Sequence, residues 1–152
     1  MLNWPLSICF FLSLSACNFR LAPPQYSSQE ILSANLDSAV YQDITLKDKS
    51  FSTSSLRGTS FRSTRFESVS FINSDLRGIH VENSRYNNFS FTDSNLAGAR
   101  ISDSVFDGGD FTNVQLQDSF IIDTTFKNCV YSKREFKNAI LVNVKMINCR
   151  SI

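Results

Sequence analysis

The chain is predicted to fold as an all-β solenoid, a rod of stacked parallel β coils, and three features of its 152 residues lead there. Every fifth residue from Ile31 to Met146 is apolar, at 24 positions without exception. With 42% hydrophobic residues, chance compliance in one fixed frame is about one in a billion. Two places before each centre, most residues are small, as at Ser54, Thr64, Ser74, Ser94 and Cys129. Two places after, 18 of 24 are Asn, Asp or Gly, the types that best tolerate left-handed and turn conformations. Helices and flat strands have periods of 3.6 and 2, so neither explains a period of five. A turn every five residues, with one large inward side chain per turn, winds the chain into a coil.

The N-terminal segments precede the repeat. Residues 1–16, MLNWPLSICFFLSLSA, carry no charged side chain, and Leu6 to Leu14 is an apolar stretch. A mature membrane-spanning helix needs about twenty apolar residues, so the segment fits the shorter apolar core of a signal peptide. It closes on Leu14-Ser15-Ala16-Cys17, which resembles the lipobox of bacterial lipoproteins. That resemblance implies lipidation of Cys17, which becomes the mature N-terminus, and a membrane-anchored protein of the bacterial cell envelope. Asn18 rather than Asp after the Cys is similar to lipoproteins sent on to the outer membrane, facing the periplasm. The n-region departs from the pattern in having no Lys or Arg. Residues 17–28 comprise the lipidated Cys and a tether with two prolines and no periodicity. Residues 29–40 admit two readings: an irregular first coil, or a short capping helix opened by the capping box Ser27-Ser28-Gln29-Glu30.

Residues 41–152 form the rod. Rows twenty residues apart look alike: Phe51, Phe71, Phe91, Phe111 and Tyr131 make one column. Leu36, Leu56, Leu76, Leu96, Leu116 and Phe136 make another, and Phe66, Tyr86, Phe106, Phe126 and Met146 a third. Twenty residues, four pentads, therefore make one four-sided coil. Five to six coils stacked about 4.8 Å apart give a rod of roughly 25–29 Å. The fourteen Phe against one Trp are explained by ring columns filling its axis. The pattern small–x–Leu/Phe–x–Asn/Asp/Gly resembles the pentapeptide-repeat family over about residues 41–149. The resemblance implies a right-handed parallel β-helix with four square faces. Ile79, Phe89 and Arg134 break the small-residue register and are expected to bulge or turn outward.

Composition excludes several function classes. Fifteen Lys and Arg against fourteen Asp and Glu give no overall reason to bind nucleic acid. The single histidine, His80, has no nucleophile motif beside it and reads as a surface residue. The Asp and Asn corners lack the glycine-rich spacing of calcium-binding rolls, so neither a metal nor a cofactor is expected. Cys129 and Cys149 are twenty apart and fall in adjacent coils. Their side chains point the same way, which favours neighbouring buried thiols over a disulfide. Residues 126–152 carry a net +5, from Lys127, Lys133, Arg134, Lys137, Lys145 and Arg150 against Glu135. Lys133, Arg134, Lys137, Lys145 and Arg150 are thus a candidate interface for an unknown, acidic protein partner. A homodimer through the last coil is disfavoured by like charge. The resulting expectation is a non-enzymatic envelope lipoprotein, a binding or scaffold module for a larger envelope or secretion assembly. The alternative comes from the family: some cytoplasmic members resemble DNA and protect topoisomerases. Neutral charge and an export signal argue against it.

Overall fold

In a computed structural model, the structure describes residues 34–152, and within them the five-residue frame becomes geometry. Every position two after a centre from Ser38 to Asn128, and again Asn143 and Asn148, has φ between 48° and 69°. These left-handed residues are the corners. Between them lie short strands that pair in parallel with residues twenty positions away, such as Phe61 with Val81.

The coils stack into four faces. The first is a six-stranded sheet of β1 (Val40–Gln42), β3 (Ser60–Arg62), β5 (His80–Glu82), β7 (Arg100–Ser102), β10 (Phe120–Ile122) and β13 (Ile140–Val142). The second holds β2 (Thr45–Ser50), β4 (Arg65–Ser70), β6 (Arg85–Asn87), β8 (Val105–Asp107), β11 (Thr125–Lys127) and β14 (Lys145–Ile147). The third contains β9 (Asp110–Phe111), β12 (Val130–Tyr131) and β15 (Arg150–Ser151). The fourth is a row of single bridges, Asn35 to Ser55 to Asp75 to Asn95 to Gln115. Strand order follows chain order in every case, so this is an all-β parallel solenoid of six coils.

The pentad centres fill the interior. Phe51, Phe71, Phe91 and Phe111 are buried, with the Phe51–Phe71 and Phe71–Phe91 rings stacked 5.1 and 5.2 Å apart. Phe66, Tyr86, Phe106 and Phe126 stack beside them. The small positions have their own chemistry, which explains why so many are Ser. The Ser54 N–H donates to Ser74 Oγ at 3.2 Å, and the Ser74 N–H to Ser94 Oγ at 3.0 Å. The Ser74 and Ser94 hydroxyls in turn donate to the carbonyls of Phe51 and Phe71. A hydroxyl here satisfies a buried N–H and a buried C=O of the neighbouring coil, where an orphaned group would cost about 1–3 kcal/mol.

The structure corrects the expectation at two of the three breaks in the small-residue register. Ile79 and Phe89 do not turn outward; both are buried. Phe89 fits because Gly109 stands twenty residues on: a Cβ there would lie inside the Phe89 ring. The large ring takes the space of two small positions. Arg134 does turn outward, through a local change of conformation. Lys133 occupies a corner where Thr53, Asn73, Asp93 and Asn113 take positive φ, and Lys is poorly suited to that conformation. The chain instead makes one helical turn, α1 (Lys133–Phe136), which still delivers Phe136 to the core. Residues 34–39 are coil rather than helix, with Asn35 bridging Ser55 and Ser38 at φ 60°. The rest of the proposed cap, with the signal peptide, Cys17 and the tether, lies outside the described residues.

Candidate binding surface

Charge is arranged differently in the two halves of the rod. The three ion pairs among the described residues all lie between positions 37 and 82: Arg57–Asp37, Arg62–Glu82 and Arg77–Asp75. Burial raises the Asp37 carboxyl, but hydrogen bonds from Arg57 and Ser55 outweigh it and hold it below its ordinary value. A hydrogen bond from Arg77 does the same for Asp75. Beyond residue 82 the cations have no carboxylate partner among the described residues. Lys133, Arg134, Lys137, Lys145 and Arg150 are all exposed. His80 lies on the first face in register with Arg100, in a shallow depression that Ile101, Ser102, Phe120 and Ile122 complete.

Apolar exposure concentrates at the same end. On the first face, Phe120 and Ile122 point outward, and so do Ile140 and Val142 one coil on. Leu141 occupies an inward column but is 42% exposed, against 1% for Ile121 directly behind it. Ile147 and Ile152 extend the apolar surface onto the next two faces. The sequence frame could not find this patch, because outward positions obey no period. The only signals were the runs Phe120-Ile121-Ile122 and Ile140-Leu141-Val142, where other rows carry polar flanks such as Ser60 and Arg62.

The terminal coil is also covalently fastened. Cys129 and Cys149 form a disulfide, with Cα atoms 4.4 Å apart, which corrects the expectation of free thiols. The separation sits at the short end of the usual range, because in-register parallel neighbours are as close as the strand spacing allows. Among the described residues, no three His, Cys, Asp or Glu side chains are grouped to hold a metal ion. No described helix is long and apolar enough to cross a membrane.

Comparison with known proteins adds the family. The pentapeptide-repeat model matches eight copies, over residues 50–83 and 90–128. The chain is a pentapeptide-repeat protein. The break between the matched blocks ends at Phe89, the repeat's largest departure from a small residue. Among solved structures, a pentapeptide-repeat protein of the Arabidopsis thaliana thylakoid lumen superposes with a TM-score of 0.67. It is 20% identical, and the match covers 80% of this chain and 87% of that one. Rfr23, a pentapeptide-repeat protein of the cyanobacterium Cyanothece 51142, follows at a TM-score of 0.48 and 11% identity, covering 81% and 91%. QnrB1, a plasmid-mediated fluoroquinolone resistance protein, matches at 0.40 and 15% identity, covering 75% and 65%. At these identities the likeness concerns the fold. No curated protein matches by sequence. The pentapeptide repeats thus account for the rod, and its job must be argued from its surface.

Proposed function

We propose that this pentapeptide-repeat protein is an envelope lipoprotein whose rod is a binding or scaffold module, held to the membrane through acylated Cys17. The observation that carries the reading is the terminal coil, where exposed apolar side chains and unpaired cations share one end of a rod with a buried core. Stacked coils hold outward side chains in fixed rows, so a partner meets a preorganised surface and little ordering entropy opposes binding. The disulfide supports the compartment, since such bonds persist in oxidising locations such as a periplasm. A lipid anchor with more than one acyl chain would hold the rod at the membrane stably.

The test is metabolic labelling with palmitate followed by fractionation of the envelope. Wild-type chain should label and sediment with membranes, and Cys17→Ser should do neither. Equal labelling of the two would overturn the anchor.

A further inference from the structure

The last strand of the first face has the features of a docking edge. Within the rod, each coil bonds to the next through groups that flank the strand. The Asp123 N–H donates to the Val142 carbonyl at 3.0 Å, and the Ile140 N–H donates to the Ser119 carbonyl at 2.8 Å. The equivalents one coil further on are the Asn143 N–H and the Ala139 carbonyl, on the outer side of β13, the end strand of its sheet. Hydrophobic strand edges left open in this way pair with other chains unless blocked. The side chains of β13 do not block it: Ile140 and Val142 point outward at 50% and 49% exposure, and Leu141 points inward over the core end at 42%. Exposed Lys137 and Lys145 stand on either side of the strand, and no acidic side chain is within either one's ion-pair reach among the described residues.

We propose that β13 receives an extended, acidic-flanked apolar segment of a partner protein, which adds as a further parallel strand. This deepens the binding-module reading and rests on it. The register fixes what the segment must carry. A strand beside Ile140-Leu141-Val142 presents its residues outward, inward and outward, so three consecutive apolar residues continue both outer columns and cover Leu141. Carboxylates just before and after the triplet meet Lys137 and Lys145. A second copy of this chain supplies the apolar triplet but brings Lys137 and Lys145 with it, so like charges meet where opposite charges are needed. An anionic bilayer supplies negative charge but cannot pair with the strand's N–H and C=O groups.

The probe is a short peptide with Ile-Leu-Val at its centre and two Glu on each side, titrated by fluorescence anisotropy onto the purified full chain. Two control peptides replace Glu by Lys, or the triplet by Ser. The Glu peptide should bind at least about tenfold more tightly than either control, and should weaken as salt rises. Ile140→Ser with Val142→Ser should abolish binding. Lys137→Glu with Lys145→Glu should reverse the preference toward the Lys peptide, a result that misfolding cannot produce. On binding, hydrogen exchange at the Asn143 amide should slow. Equal binding of the Glu and Lys peptides, or none of either, overturns the proposal. A dimer of the chain alone that Ile140→Ser with Val142→Ser dissolves assigns the edge to a second copy instead. In a Cys17→Ser background, retention on phosphatidylethanolamine–phosphatidylglycerol vesicles that Ile140→Ser with Val142→Ser abolishes, without peptide binding by wild type, assigns it to lipid. Palmitate labelling is untouched by all of these outcomes, so failure here is distinct from failure of the envelope reading.

Discussion

Individual side chains in this rod are constrained by their counterparts twenty residues away more than by their sequence neighbours. Gly109 shows it: its freedom from a Cβ matters because the Phe89 ring lies over it, not because of its backbone angles. Gly109→Ala should destabilise by about 3 kcal/mol in denaturant melts, the upper part of the usual overpacking range. Combined with Phe89→Ala it should cost clearly less than the two changes summed. Additive losses would mean that the pair is uncoupled. Phe91→Ala should leave a cavity in a stacked column and cost about 3–5 kcal/mol. Gln117→Ala, on the surface, should change stability by no more than about 0.5 kcal/mol. Tyr86 gives a pH signature. Burial pushes its phenol well above the ordinary value, so the folded state holds the proton that the unfolded chain releases near pH 10. Stability should therefore be intact below about pH 10 and fall as pH rises beyond it. Tyr86→Phe should remove that part of the alkaline loss, as urea midpoints across pH 8–11.5 would report.

At the level of elements, the corners and core columns were legible in the sequence because both repeat with the coil. Like residues sit on like, and a column of Leu or Phe announces its own register. What escaped was whatever depends on compensation or on the outer surface. Phe89 needed Gly109, one coil later, to make sense. Lys133 gave no hint that a failed left-handed corner would become α1. The disulfide is hidden because in-register side chains point the same way, while the closeness of parallel rows brings the two sulfurs within bonding reach. That bond joins the least buried coil to its neighbour across twenty residues. Closing a loop of that size is worth about 3 kcal/mol in the chain-entropy account. Reduction, or Cys149→Ser, should loosen the coil from Ile140 to Ile152 before the rest. Hydrogen exchange resolved by residue should show faster exchange there, with protection around Phe71 and Phe91 unchanged. Uniform loosening along the whole rod would refute this local role.

For the whole molecule, stability accrues coil by coil through nearest neighbours, as in other solenoids. Duplicating one complete coil, residues 81–100 for example, should leave every column intact and give a folded protein of at least equal thermal stability. Duplicating a single pentad should misalign all columns beyond the insertion and broaden or lower the melt. Circular dichroism with thermal denaturation separates the two outcomes. The four-sided coil that makes this so also gives the rod one free adjustment. Each whole coil added moves β13 about 4.8 Å further along the axis at the same azimuth. A pentad offset would turn it by a quarter revolution only by breaking the columns behind it. Reach can thus be refitted to a differently placed neighbour in whole-coil steps without redesigning a single contact in the core, whereas bearing is locked to the columns.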